Sequence, residues 1–207
     1  MPASTAWQSW GSSREEYSYY QPSRSVWYSC YTDKSSHCKA ASAALCKQIA
    51  AQGSVIVLIQ ELWINGCKIL GLGTQGWSAL RGCSGIIGKG LNAYNLPQFA
   101  TCDLTAAQVE YRKNGVDTCA ILASVYMPIE EAVPTQEVEQ LITYCEFNNL
   151  PLIIGCDTNA HHITWDNIST NSRGRMLAEY LATTNLEIVN VGSEPTLCQG
   201  TVTLLLT

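Results

Sequence analysis

Apolar runs alternate with helical patterns along most of the chain, and this alternation predicts the order of its elements. Apolar residues recur at helical spacing through Lys39–Ala51, and Gly53 follows as a stop signal. Three continuous apolar runs, Val55–Ile59, Cys119–Tyr126 and Leu152–Gly155, are typical of strands that are covered on both faces. Such an alternation indicates an α/β domain.

The remaining elements fit the same interpretation. A second helix is predicted to begin after Pro134-Thr135, with Thr135 as a cap, and to end at Asn148-Asn149. A third helix is predicted over Arg173–Thr184, and Leu186–Val191 follows as a strand. Glycine-rich turns in residues 66–118 separate short apolar pieces and suggest hairpins. The predicted fold class is therefore α/β (α+β) with a mixed sheet.

The first 36 residues differ in pattern from the rest. Residues 1–36 are rich in Ser, Tyr, Trp and Gln without a sustained period, so we expect an irregular, poorly ordered leader before a domain over residues 37–207. They contain no signal-peptide pattern, and no apolar run approaches the roughly 20 residues that a membrane span requires. We therefore expect a soluble, intracellular protein without a transmembrane segment or a membrane partner.

Charge and cysteine content narrow the function classes. The formal net charge is −5, so the composition does not indicate a basic surface for nucleic acid. A bound divalent cation can nevertheless supply the local positive charge that such a substrate needs. The ten cysteines form neither a C-x-x-C pair nor a zinc-ligand spacing, and we expect reduced thiols.

Polar side chains follow three of the predicted strands at the points where these strands end. Glu61, Tyr126 and the pair Asp157 and Asn159 each come at the end of an apolar run or directly after it. If the strands are neighbours, two carboxylates, an amide and a phenol converge at one edge. Such hard oxygen ligands suit Mg²⁺, or alternatively Mn²⁺, better than zinc. This set is typical of metal-assisted phosphodiester hydrolysis.

Each residue also has a simpler interpretation. Glu61 could be a solvated loop carboxylate, and Tyr126 a core ring with its hydroxyl at the surface. Asp157-x-Asn159 could be a turn. His161 and His162 could be a zinc pair, but adjacent side chains point apart and no Cys or His partner lies at a useful spacing, which favours supporting or structural roles. The functional prediction depends on the combination.

Five motifs, in order along the chain, resemble those of one family. They are Gln60-Glu61-Leu62-Trp63, Val125-Tyr126-Met127-Pro128, Gly155–His162 followed by Trp165, Thr170–Arg175, and Gly192-Ser193-x-Pro195-Thr196. Together they resemble the endonuclease domain of non-LTR (LINE-type) retrotransposons, which belongs to the endonuclease/exonuclease/phosphatase superfamily. The resemblance extends from about Lys39 to Thr196. It implies a four-layer sandwich in which two packed mixed β-sheets are flanked by helices, with the C-terminal strands truncated.

The resemblance also implies a reaction and a role for each residue. By position, Glu61 would be the principal Mg²⁺ ligand, and Asp157 would orient and deprotonate the attacking water. Asn159 would hold the scissile phosphate and help to position Asp157, Tyr126 would donate to its developing charge, and Thr196 would lie near the DNA-contacting end. The implied reaction nicks one strand of a DNA substrate in the nucleus and leaves a 3′-hydroxyl that primes reverse transcription. No obligate protein partner can be inferred.

The chain departs from the family in three places. Asp33 or Lys34 stands where the family has a metal-binding Asn, Leu62 replaces a Pro, and residues 197–207 contain neither the Asp nor the His expected there. Losing one charged donor of this kind costs roughly 10²–10³-fold in rate. One alternative is therefore an inactive remnant or binding protein with the same fold. The other is a phosphatase of the same superfamily.

Overall fold

Two mixed β-sheets lie face to face, with helices on their outer faces. The computed structural model describes residues 15–18, 29–34, 39–51, 55–62, 64–65, 68–69, 77–82, 84–90, 92–113, 115–165, 167–188 and 201–206. The strands are β1 (Glu15–Ser18), β2 (Ser29–Lys34), β3 (Val55–Gln60), β4 (Ile64–Asn65), β5 (Lys68–Ile69), β6 (Trp77–Arg81), β7 (Ser84–Lys89), β8 (Asn92–Asn95), β9 (Leu104–Lys113), β10 (Val116–Tyr126), β11 (Leu152–Asp157), β12 (Leu186–Ile188) and β13 (Thr201–Leu206). The helices are α1 (Lys39–Ala51), α2 (Gln136–Phe147) and α3 (Ser172–Leu181), with short 3₁₀ turns at Pro97–Phe99 and Ile163–Trp165.

The strand order brings the predicted strand ends together. The first sheet has the order β1-β2-β3-β7-β6, and the second has the order β12-β13-β11-β10-β9-β8. Within the first sheet β2 and β3 are parallel, and within the second β10 and β11 are parallel. The remaining pairs in both sheets are antiparallel. Because β10 and β11 are parallel neighbours, connected through α2, both strands end at the same edge of the sheet.

Three clusters of buried side chains form the layers. Leu45 and Ile49 of α1 pack on the outer face of the first sheet, against β3 and Ile87. A second cluster fills the space between the sheets, and a third lies between the second sheet and the helices α2 and α3. The implied four-layer sandwich of two mixed sheets flanked by helices is therefore confirmed.

Most predicted elements are present, with shifts at their ends. Helix α1 has the predicted bounds, but α3 ends at Leu181 because Thr183 and Thr184 turn back to bond the carbonyls of Tyr180 and Leu181. The hairpins expected in residues 66–118 are present as β6-β7 and β8-β9. Among the described residues, no helix is both long and apolar enough to span a bilayer.

The two ends of the chain contribute strands to the sheets. β1 and β2 lie within residues 1–36, which the sequence pattern assigned to an irregular leader, and β2 pairs with the buried strand β3. Short polar strands of this kind lack the alternation by which a strand is recognised. β13 lies between β11 and β12 in the second sheet. The predicted strand over 186–191 is present to Ile188, and its remainder lies outside the described residues.

The space between the sheets changes from apolar to polar toward the edge at which β3, β10 and β11 end. Ile56 and Leu58 of β3 face Leu122 of β10 in the apolar part. Two residues further along each strand, four buried polar residues form the next layer, which we call the polar tetrad: Gln60, Ser84, Thr105 and Ser124. Gln60 pairs with Ser84 in one sheet, and Thr105 pairs with Ser124 in the other.

Hydrogen bonds within the polar tetrad join the two sheets. Gln60 Nε2 donates to Ser124 Oγ at 3.0 Å, and the hydroxyls of Ser84 and Thr105 are 2.9 Å apart. Ser124 Oγ in turn donates to the Ile59 carbonyl at 2.7 Å. Because each buried polar group left without a partner costs about 1–3 kcal/mol, the tetrad favours one alignment of the sheets over others.

We expect Ser124→Ala to destabilise the fold by about 1–3 kcal/mol, because Gln60 Nε2 and the Ile59 carbonyl each lose a buried partner. Urea denaturation followed by circular dichroism measures the change. Thr143→Ala is the matched control, since this hydroxyl is exposed on α2 and bonds only the Glu139 carbonyl of its own helix. The control should not lose stability, because Ala favours a helix at least as well as Thr. Unchanged stability of Ser124→Ala as well would contradict a role for the tetrad.

Candidate active site

Tyr126 and Asp157 lie side by side at the ends of two parallel strands. They are Cα partners in the register of β10 and β11. The Met127 amide donates to the Asp157 carbonyl at 2.8 Å, which continues the strand pairing past Tyr126. Tyr126 is half-buried and Asp157 is fully buried. Residues two apart in a strand point to the same face, so Tyr126 shares a face with Ser124, and Asp157 shares a face with Gly155. Both therefore lie in the space between the sheets, in the layer next to the polar tetrad.

Asn159 connects the two strand ends. Its backbone amide donates to Asp157 Oδ1 at 3.3 Å, and its side-chain Nδ2 donates to the Met127 carbonyl at 3.1 Å. Asn159 has a left-handed backbone in this turn, with φ = 49°. The turn interpretation of Asp157-x-Asn159 and the site interpretation are thus compatible, because the turn itself brings the carboxylate and the amide together.

Glu61 reaches the same edge from the first sheet. It directly follows Gln60, whose Nε2 also donates to the Gly155 carbonyl at 3.0 Å, two residues before Asp157. Glu61 is half-buried and has a left-handed backbone with φ = 53°. Asp33 and Lys34 end the adjacent strand β2. The two sheets therefore both contribute carboxylate-bearing positions to one edge of the sandwich.

The two histidines are engaged within their own loop. His161 Nδ1 lies 2.8 Å from Asn167 Oδ1. The His162 ring lies 5.0 Å from the ring of Trp165, and its Nδ1 accepts from the Thr164 amide at 3.1 Å. Buried Trp165 donates to the Ala160 carbonyl. These contacts hold the segment that follows Asn159 in a compact turn.

The donor set suits a hard cation. Carboxylate, amide and phenol oxygens are the ligands that Mg²⁺ prefers, and the two carboxylates are supplied by Glu61 and Asp157. Within the described part of the chain, no three His, Cys, Asp or Glu side chains are arranged to hold an ion. Thr196 lies outside the described residues.

Two cavities flank the strand ends. One, of about 300 Å³, is lined by Asn159, Asn171, Ser172, Arg173 and residues of the segment after β10. The other, of about 120 Å³, is lined by Tyr126, Asp103 and Glu137 among others. Glu131 borders both. Asn159 and Tyr126 therefore each line one of the two cavities, whereas Asp157 is buried.

Arg173 is a residue of the site that the sequence pattern did not single out. It lines the larger cavity, and its guanidinium donates to backbone carbonyls of the segments around Met127 and Thr158. Burial lowers its pKa, an effect opposed by the nearby Glu130 and Glu131. A charged residue in the first turn of a helix is usually solvated, so only its position in the Asn-x-Arg-Gly stretch signalled a special role.

Comparison with known proteins bears on the fold and the family resemblance. Residues 120–205 match a family model described as endonuclease-reverse transcriptase. No curated protein sequence matches the chain. The endonuclease domain of TRAS1, a telomere-specific non-LTR retrotransposon, has a similar structure, with a TM-score of 0.66 and 21% sequence identity. That similarity covers 86% of this chain and 84% of the TRAS1 domain.

Two further structures are more distant. The catalytic domain of human Nocturnin has a TM-score of 0.45 at 14% identity, over 81% of this chain and 74% of its own. A conserved protein of unknown function from Enterococcus faecalis V583 has a TM-score of 0.41 at 10% identity, over 80% and 78%. Both similarities are too weak to bear on the fold. The family model and the TRAS1 structure confirm the predicted resemblance of this chain to the endonuclease domains of non-LTR retrotransposons, within the endonuclease/exonuclease/phosphatase superfamily.

Proposed function

We propose that the chain is a Mg²⁺-dependent DNA endonuclease that hydrolyses a phosphodiester and nicks one strand. The observation that carries the proposal is the pairing of Tyr126 with Asp157 at adjoining strand ends, with Asn159 bonded to Asp157 and to the residue after Tyr126. A phenol, a carboxylate and an amide are thereby held in fixed relative positions, and Asn159 and Tyr126 each line a cavity next to the strand ends. Fixed placement of reacting groups is a large contribution that a protein can make to phosphodiester hydrolysis.

Each side chain has a proposed role that follows from its chemistry. Asp157 orients the attacking water and accepts its proton, and the Asn159 amide that donates to Oδ1 fixes the direction of the carboxylate. Asn159 holds the scissile phosphate through its side chain, and Tyr126 donates a hydrogen bond to the charge that develops on the phosphate oxygens. Donors placed in advance stabilise this charge without reorganisation during the reaction.

Glu61 is the proposed ligand of the divalent cation. When bound, Mg²⁺ supplies positive charge to the phosphate and lowers the barrier to attack. This contribution matters in a chain whose formal net charge is −5, since DNA is repelled by an acidic surface. His161 and His162 support the loop after Asn159, and contact of Thr196 with DNA stays a prediction. A DNA substrate would place the protein in the nucleus.

An inactive remnant with the same fold is the second candidate. The observation in its favour is that Asp33 and Lys34 end β2, beside the strand that leads to Glu61, where the family has a metal-binding Asn. A lysine carries a charge of the same sign as the proposed cation and cannot replace an amide as its ligand. A nicking assay separates the two candidates, and release of inorganic phosphate from a monoester would instead indicate a phosphatase.

We expect the purified chain to convert supercoiled plasmid to the open circular form in Mg²⁺, and Asp157→Asn to slow this conversion by roughly 10²–10⁴-fold. The amide has the shape of the carboxylate but cannot accept the proton. Asp117→Asn is the matched control, because Asp117 lies at the exposed start of β10 and forms a surface ion pair with Arg112. Its nicking rate should equal that of the wild type.

The assay includes EDTA and Mn²⁺ conditions. Nicking that persists equally in Asp157→Asn would indicate a contaminating nuclease, and absence of nicking by the wild type in both Mg²⁺ and Mn²⁺ would favour the inactive remnant.

Glu61→Gln should change the metal requirement more than the maximal rate. Loss of the ligand charge is expected to raise the Mg²⁺ concentration for half-maximal nicking by roughly 10-fold or more. Asp157→Asn, by contrast, should lower the rate even at saturating Mg²⁺. A Mg²⁺ titration of the nicking rate measures both effects, and Glu110→Gln, at an exposed position of β9, is the control. An unchanged midpoint in Glu61→Gln would remove Glu61 as the metal ligand.

A further inference from the structure

The first turn of α3 is fastened to the loop that follows Asn159. Asn171 caps the helix, and its Oδ1 accepts from the amides of Gly174 at 2.7 Å and His161 at 3.2 Å. The Asn171 amide donates back to the His161 carbonyl at 3.0 Å. Side-chain capping is common at helix starts, but here the same oxygen also holds a backbone amide of the candidate site.

Gly174 allows the helix to approach this loop closely. A Cβ atom at position 174 would lie 1.9 Å from the His161 carbonyl oxygen. Real atoms cannot approach so closely, so any larger residue would push α3 and the loop apart. This close approach places the backbone of residue 173 next to the loop that carries Asn159.

Arg173 uses this position to join two loops of the site. Its Nε donates to the Thr158 carbonyl at 2.9 Å, and Nη2 donates to the Pro128 carbonyl at 2.9 Å and to Met127 at 3.4 Å. Its Nη1 donates to the carbonyls of Glu131 and Ile129. A guanidinium has five N–H donors, and these five carbonyls accept them. The contacts within the described part of the chain thus leave no donor for a phosphate.

The Met127 carbonyl links Arg173 to Asn159, because it accepts hydrogen bonds from both side chains. It accepts from Arg173 Nη2 and also from Asn159 Nδ2 at 3.1 Å, while the Met127 amide donates to the Asp157 carbonyl. The segment that follows it has little packing of its own, since Ile129, Glu130 and Glu131 are all exposed. Arg173 bonds to four carbonyls of residues 127–131, whereas Met127 itself is also anchored by its buried side chain and its amide.

We propose that Arg173 is a positioning residue of the site: it holds the segment 127–131 against Thr158 and, through the Met127 carbonyl, sets the orientation of the Asn159 side chain. We call this holding of segment 127–131 against Thr158 the clamp. The effect of the clamp on catalysis rests on the proposed endonuclease function, but the clamp itself does not. An arginine beside a phosphodiester site would ordinarily be assigned to phosphate binding. Here the hydrogen bonds to five carbonyls assign it to the loops instead.

The test compares Arg173→Lys with Arg175→Lys, a matched control two residues along the same helix with an exposed side chain. Lysine keeps the charge but cannot span carbonyls in several directions. Amide hydrogen exchange is expected to become faster in residues 127–131 and 158–162 of Arg173→Lys, and to stay at the wild-type rate in Arg175→Lys. Equal exchange in the two variants would overturn the clamp, whether or not the chain nicks DNA.

Kinetics on a duplex oligonucleotide test the catalytic consequence. Arg173→Lys should lower kcat by roughly 10–100-fold while KM stays within about twofold, as expected for misplacement of a catalytic group. A raised KM with unchanged kcat would identify a phosphate ligand and overturn the proposal. Absence of nicking by the wild type would count against the endonuclease function, and hydrogen exchange would still decide the clamp.

A double-mutant cycle separates positioning from general destabilisation. If Arg173 acts through Asn159, Arg173→Lys should have little further effect on kcat in an Asn159→Ala background. Two independent losses that multiply would overturn the proposed path through Met127. The cycle remains informative if Arg173→Lys is less stable than the wild type, because all four proteins are compared at equal folded concentration.

Discussion

The buried amide of Gln60 is the constraint on which the candidate site depends. It is the last residue of β3, and its two hydrogen bonds reach Ser124 and Gly155 in the opposite sheet. Apolar contacts between sheets are tolerant of sliding, because one methyl group can replace another. A buried amide does not tolerate sliding, because an amide donor that loses its acceptor destabilises the fold. The position of Glu61 relative to Asp157 is therefore determined by directional bonds one residue away.

The other part of the site has a more local origin. Tyr126, Asp157 and Asn159 come from one β10–α2–β11 unit, in which a single helix connects two parallel neighbours. Arg173 adds a contact from the next helix, so that everything from Tyr126 to Arg173 lies within one contiguous stretch. The phenol, the carboxylate and the amide therefore come from this stretch alone, whereas Glu61 comes from the first sheet.

The sequence was sufficient to predict those features that depend on the pattern of apolar and polar residues along the chain. The bounds of α1, the three buried runs and the polar residues at their ends follow from periodicity and from apolar length, and the structure places Tyr126, Asp157 and Asn159 together as those patterns suggested. The short strands β1 and β2 could not be recognised, because each depends on pairing with a neighbour, β1 with β2 and β2 with β3, and not on its own residue pattern. Arg173 lies within the motif Thr170–Arg175, but its contacts could not be predicted, since its partners are carbonyls, which every residue carries.

Two of the proposed site residues, Glu61 and Asn159, have left-handed backbones with φ of 53° and 49°. Such a conformation costs a residue such as Glu roughly 1–2 kcal/mol and costs glycine almost nothing, whereas Asn tolerates it better and here also bonds the Met127 carbonyl. Backbone strain and the proposed chemistry therefore favour different residues at position 61. In a lineage of such chains released from selection for DNA cleavage, we expect Glu61, the proposed metal ligand, to be replaced by glycine before Asn159, while the sandwich around them remains intact.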